Sequence, residues 1–269
     1  MAAEVELLAA DEPAAYELFA GDADTRVIIV CDHATNRIPK ALGELGLDEQ
    51  HLRDHIAWDI GAAAVTRRLQ SRFGATAVLG NYSRLVVDLN RSMSDRSAIP
   101  PISDGTLVPG NLGLDAAARA ARARALFEPY HAAIDQHIAA KLDAGIVPVF
   151  FGVHSFTPRF HGTTRPWHAG ILWDRDPRLA LPMLATLRLE AGLFIGDNEP
   201  YSGRHPADYS IDHHAEAHGL AYAGIEIRQD LIADSNGQDR WADRLSRAID
   251  AAISDESVFQ TLQDWQSRR

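Results

Sequence analysis

Short apolar runs separated by helical patterns set the first expectation for this chain. Residues 27–30, 75–79, 85–87, 147–153, 170–173 and 221–227 are continuous apolar stretches, the pattern of strands buried on both faces. Between them, apolar residues recur at helical spacing. The stretch 50–73 stops at Gly74, 115–144 opens on Asp115 and stops at Gly145, and 177–191 stops at Gly192, while 239–253 forms a last helix. Strands alternating with helices predict an α/β fold: one domain over residues 1–269, with a mainly parallel or mixed central sheet and helices on both faces. Two aperiodic stretches, 91–113 and 198–214, are rich in Pro, Gly, Ser and Asp and read as long loops. Loops of that length in a compact domain are often functional.

Composition narrows the partners. With 37 acidic against 26 basic residues the formal charge is -11, which disfavours nucleic acid and anionic membranes. A small anion remains compatible, because one or two local arginines can hold it. No apolar run approaches the roughly 18 residues of a membrane span. The first 13 residues hold four acidic and no basic side chains, unlike a secretory signal. A single cysteine, Cys31, excludes an intramolecular disulfide and reads as a small packing residue. These features predict a cytoplasmic protein; they do not address its oligomeric state.

In open α/β sheets ligands bind beyond the carboxyl ends of the strands, so the polar residues after each apolar run carry the chemistry. His33 follows the first run and His154 ends the fourth. Singly, each reads as a packed histidine. Two at equivalent strand ends point to a metal, with one zinc per chain the first choice and another divalent metal the alternative. A catalytic zinc takes three protein ligands and keeps one position open. The third candidate is Asp59, a carboxylate in an apolar helical stretch that needs a partner. Asn36, three residues after His33, competes with it, but an amide is a poor zinc ligand. Asn90 and Arg91 lie where a substrate carboxylate could be gripped. Arg84 could do the same or polarise the scissile carbonyl. Glu226, between Ile225 and Ile227, is placed as a general base; a Glu226–Arg228 ion pair is its structural alternative. His213, His214 and His218 could form a second metal site, but a solvated acidic helix over 208–218 is the preferred reading.

Together these fragments resemble the zinc carboxypeptidases, in which a post-strand His, an Asn-Arg pair, a His-Ser-Tyr segment and a Glu-Leu-Arg segment occur in this order. Here they correspond to His33, Asn90-Arg91, His154-Ser155-Phe156 and Glu226-Ile227-Arg228. Where the carboxypeptidases have a Glu ligand this chain has Asn36, which moves the second ligand to Asp59. More closely, CDHATNRIP, SRLVVDLNRS, FEPYHAAI, HSFTP and GIEIRQDLI, spanning residues 31–232, resemble the N-formylglutamate amidohydrolase family. The resemblance implies the phosphorylase/hydrolase-like fold of zinc exopeptidases and adds Ser155 and Arg228 to the expected substrate contacts. It implies hydrolysis of N-formyl-L-glutamate to formate and L-glutamate, at the end of one histidine catabolism route. The expected substrate class is therefore a small acidic N-acyl amino acid. Two rivals remain: a carboxypeptidase-like deacylase for another N-acyl amino acid or short peptide, and a non-catalytic binder of acidic metabolites.

Overall fold

The computed structural model describes residues 6–205 and 208–268. The first five residues of the acidic N-terminal stretch, and Pro206-Ala207 of the second long loop, lie outside the described residues. A seven-stranded sheet runs through the molecule. Its strands are β1 Tyr16–Phe19, β2 Val27–Cys31, β3 Thr76–Gly80, β4 Val149–Phe156, β5 Ala169–Leu172, β6 Ile195–Asp197 and β7 Tyr222–Arg228. They lie in the order β1-β3-β2-β4-β7-β5-β6. The pairs β3/β2, β2/β4, β4/β7 and β5/β6 are parallel, while β1/β3 and β7/β5 are antiparallel. The sheet is therefore mixed, and helices flank it as the alternation of runs predicts. Among the described residues no helix is long and apolar enough to cross a membrane.

The central strands are buried along nearly their whole length, only Ser155 of β4 and Arg228 of β7 being half-buried, and their residues divide between two cores. Ile29, Cys31, Phe151, Val153 and Ile225 face one core with helices α2 Ala62–Phe73, α5 Ala180–Arg188 and α6 Ser235–Ile253. Ile28, Val30, Phe150 and Tyr222 face the other, against α4 Glu128–Asp143 and the apolar residues of loop 82–111. The shorter helices are α1 Glu49–Arg53, α3 Ala116–Arg122 and α7 Leu262–Ser267.

Three expectations need correction. Residues 85–87 are fully buried, yet they form a turn and not a strand. Side chains replace the missing ladder: Asn111 Nδ2 donates to Leu85 O (2.8 Å) and Arg122 Nη1 to Val86 O (3.0 Å). The single helix expected over 50–73 is two helices, α1 and α2, parted by the turns of 54–61. Gly61 ends that break at φ +82°, with Ile232 O only 2.3 Å from where a Cβ would stand. Finally, 208–218 is helical from residue 209, as expected, but it is not solvated on all sides. It contains a π-helical turn, Ile211–Ala215, with His214 wholly buried and Asp208 nearly so. The edge strands β1 and β6 and helix α7 carry too few apolar residues to be legible in the pattern.

Candidate active site

The carboxyl ends of β2, β4 and β7 open onto one edge of the sheet. His33 lies two residues beyond β2, His154 lies in β4, and Glu226 of β7 pairs in register with His154. Registered neighbours point to the same face, so the imidazole and the carboxyl share a site. The backbone N–H of Asp59 donates to His33 O (2.9 Å), fastening the 54–61 break to the loop after β2. Asp59 Oδ2 then lies 2.9 Å from His154 Nδ1 and 3.3 Å from His33 Nδ1. It also accepts from the Ser155 N–H at 3.3 Å.

Each imidazole meets another carboxylate on its far nitrogen. His33 Nε2 is 2.7 Å from Asp88 Oδ1. His154 Nε2 is 3.5 Å from Asp32 Oδ2, and neither atom has a hydrogen-bond partner among the described residues. Asp32 is itself fixed, its Oδ1 accepting from Tyr130 and Ser210 hydroxyls at 2.7 Å each. A carboxylate behind each ring favours the proton on Nε2 and turns the Nδ1 lone pair toward Asp59.

That arrangement tests whether a metal fits. One atom each from His33, Asp59 and His154 lie within 4.8 Å of one another, and all three residues are buried. Lone pairs that converge so closely call for a cation among them. The 2.9 and 3.3 Å separations approach the roughly 3.3 Å edge of a tetrahedron with bonds of about 2.0–2.1 Å. Two imidazoles and a carboxylate are therefore compatible with a divalent metal.

Without a metal, protons take that part. Burial opposes charge on His154, but Asp59, then Glu226 and Asp32, raise its pKa to about 10. For Asp59, burial is outweighed by the two histidines, which hold it well below the usual carboxylate range. Arg84 and His33 do the same for Asp88 against its burial. Glu226 behaves differently. Burial pushes its pKa up to about 8, against the pull of His154, and Asp59 and Asp208 add to the rise. Its Oε2 has no hydrogen-bond partner among the described residues.

The remaining expected residues divide into those at the site and those away from it. Arg84, Asn90, Arg91 and Ser155 line one cavity of about 1020 Å³ together with His33, Asp59, His154 and Glu226. Arg84 clasps Asp88 Oδ2 through Nε (3.1 Å) and Nη2 (2.7 Å), and its Nη1 is 3.5 Å from Asp59 Oδ1. Asn90 Oδ1 accepts from the Ser210 N–H at 2.9 Å. Arg91 Nη1 donates to Asn90 O (2.9 Å), and Ser155 Oγ donates to Ile60 O (2.9 Å). Arg228, expected as a substrate contact, is not among the lining residues; its Nε donates to Asp230 at 2.8 Å, so Arg228 pairs with Asp230 and not, as the structural alternative had it, with Glu226. Asn36 Nδ2 donates to Leu52 O (2.7 Å), and Asp59 joins the histidines instead. His213 lines the cavity, His214 is buried behind it, and His218 is exposed.

Sequence reading missed Asp32, Asp208, Tyr201 and Tyr209, and gave Asp88 no role at the site. A signal existed for Asp32 and Asp88: each is an acid abutting a buried apolar run, where a charge requires a partner. Asp208, Tyr201 and Tyr209 sit in an aperiodic loop whose path the pattern does not fix; all three line the cavity.

Comparison with known proteins follows the same lines. The family description "N-formylglutamate amidohydrolase" matches residues 25–233. A gene product of Agrobacterium tumefaciens is 40% identical, with a TM-score of 0.89 over 92% of this chain and 98% of its own. An N-formylglutamate amidohydrolase from Ralstonia eutropha JMP134 is 18% identical, with a TM-score of 0.62 over 95% and 98% of the two chains, a likeness of fold. No curated protein matches the chain.

Proposed function

We propose, from the premise that this chain belongs to the N-formylglutamate amidohydrolase family, that it is a zinc-dependent hydrolase of the acyl amide of a small acidic N-acyl amino acid. N-formyl-L-glutamate is the first candidate substrate. The family supports an amide hydrolase; the metal and the substrate are our reading. The observation that carries it is the convergence of His33, Asp59 and His154 within 4.8 Å, beside a buried carboxyl with an unpartnered oxygen, Glu226.

His33, Asp59 and His154 would hold the metal. A bound zinc, or another divalent cation in its place, would polarise the acyl carbonyl and acidify a nearby water. The chain's own groups do the rest. Arg91 and the amide nitrogen of Asn90 grip the substrate carboxylate, and Asn90 is presented by the Ser210 N–H on its Oδ1. Arg84, clamped by Asp88, adds positive potential where negative charge develops on the acyl oxygen. Glu226 takes the proton of the attacking water and returns it to the departing amine. Ser155 fixes the Asp59 turn through Ile60 O more than it offers a donor to substrate, and Arg228 supports β7 from outside the cavity.

A second reading rests on the size of the cavity. About 1020 Å³ is the top of the range of roughly 300–1,000 Å³ that holds drug-sized ligands, more room than one small amino-acid derivative needs. A larger acyl group or a short peptide would use it. One screen separates the readings: hydrolysis of N-formyl, N-acetyl and N-succinyl amino acids and short N-acyl peptides, with and without chelator. Chelator-sensitive release of formate with acidic amino acids preferred supports the first reading. Preference for a bulky acyl group or a peptide supports the second, and turnover indifferent to chelator and re-added metal overturns the metal role.

A further inference from the structure

A second cluster of ligating side chains lies at and behind the cavity wall, on residues the proposed reaction does not use. His213 and His214 belong to the π-helical turn Ile211–Ala215, and Asp135 belongs to α4. One atom from each of the three lies within 4.8 Å of the others. His214 Nδ1 is 2.8 Å from Asp135 Oδ1, and His213 Nε2 is 3.9 Å from Asp135 Oδ2.

A buried hydrogen-bond chain fixes what His214 presents to that cluster. The carbonyl of Leu89 can only accept, so the His131 nitrogen 2.9 Å from it, Nε2, carries the proton. A neutral ring protonated there offers Nδ1 as an acceptor. His214 Nε2, 2.8 Å from that Nδ1, must then be the donor. A neutral His214 therefore turns its Nδ1 lone pair toward the Asp135 carboxylate. Two lone-pair atoms at 2.8 Å repel unless a cation lies between them.

We propose that Asp135, His213 and His214 form a second divalent-cation site that ties the turn at 211–215 to α4. The alternative cation is a proton on His214 Nδ1. It would join only His214 and Asp135, whereas three donors converge here. Two imidazole nitrogens and one carboxylate oxygen suit zinc or a similar borderline metal better than calcium or magnesium. The donor arrangement also has the supported character of built sites, because the far nitrogen of His214 is held by His131. Asp135 and His213 keep 46% and 45% of their side-chain surface exposed, which gives an ion a way in.

The consequence reaches the cavity without touching the reacting atoms. The segment pinned by the ion carries Ser210, whose hydroxyl holds Asp32 and whose N–H holds Asn90. Filling the site would steady that wall.

The test uses full-length metal-free protein titrated with zinc and followed by calorimetry. Wild type is expected to bind two equivalents. The double variant Asp135→Asn/His213→Ala should bind one, and His154→Ala should keep the equivalent at Asp135. This pairing separates failure of the second site from failure of the proposed catalytic one. Equal stoichiometry and affinity in wild type and the double variant would overturn the proposal. So would imidazole nitrogen NMR at pH 7 showing His214 protonated at both nitrogens before and after zinc; loss of its free Nδ1 signal on adding the second equivalent supports it.

Discussion

An acid buried without a hydrogen bond on one oxygen is costly to keep, and Glu226 is such an acid. In the proposed reaction this is an advantage, because its pKa of about 8 leaves it ready to exchange a proton near neutrality. Glu226→Gln preserves size and the packing of Ile225 and Ile227 but cannot take a proton. We expect kcat to fall by about 10²–10⁴-fold with zinc content unchanged. Near-normal turnover would remove Glu226 from the reaction. His154 gives a pH prediction. Its proton competes with metal, and its pKa of about 10 in the metal-free protein means that binding must expel that proton below pH 10. Metal affinity should therefore rise by about tenfold per pH unit between pH 6.5 and 9. The sign for stability is opposite. A raised histidine stabilises the fold fully below its unfolded value of 6.5, and that contribution is lost as pH rises through 10. Raised Glu226 adds in the same direction. Metal-free protein should thus have a lower Tm at pH 9 than at pH 6.5, with a smaller drop once metal is bound. A pH-independent chelator competition would contradict the assignment. His33, His154, Asn90, Arg91 and Glu226 were legible because each ends or follows an apolar run. Their orienting partners were not, since Asp32 meets His154 only after 122 positions of chain are folded back (154 − 32).

Elements were legible where burial imposes a continuous pattern, as in β2, β3, β4 and β7, and less so where other groups do the work of a ladder. Residues 85–87 look like a strand because they are buried. They are a turn because Asn111 and Arg122 satisfy their carbonyls from the side. The helix expected over 50–73 failed for a related reason: the period survives across 54–61, but the chain breaks there to bring Asp59 to His33 O. The break is what makes Asp59 available to both histidines. Arg122 is the tether to test. Only 2% exposed, it donates to Val86 O, Gly110 O and Asn111 Oδ1. Arg122→Ala would strand these acceptors, each worth roughly 1–3 kcal/mol when left unsatisfied. We expect about 3 kcal/mol of lost stability in urea denaturation. KM should also rise, because residues 88–91 continue directly from the released turn. Arg122→Lys should recover part of both. A loss below about 1 kcal/mol for the alanine variant would show that water replaces the guanidinium.

At the scale of the molecule, charge works against the proposed substrate. The chain carries a formal -11, and Asp95, Asp208 and Asp212 line the same cavity as Arg84 and Arg91. A dianionic N-acyl amino acid approaching from solvent therefore meets repulsion first and the arginines only on entry. Salt separates these two stages. The Debye length falls from about 30 Å at 0.01 M to about 8 Å at 0.15 M, so the distant field is largely screened over that range. Contacts inside the cavity, being partly buried, are screened much less. The repulsive part should thus weaken more than the attractive part. kcat/KM for an acidic substrate is expected to rise with salt, by about two- to threefold between 0.01 and 0.15 M. An N-acyl amino acid amide without carboxylates should show a flat profile, which controls for effects of salt on the protein itself. Arg91→Ala should lower the acidic-substrate values throughout while leaving the upward slope, because the slope belongs to the whole surface and not to that arginine. A falling profile for the acidic substrate in wild type would mean that local attraction dominates the approach. The cavity with its metal bound would then act as a positive funnel despite the acidic exterior.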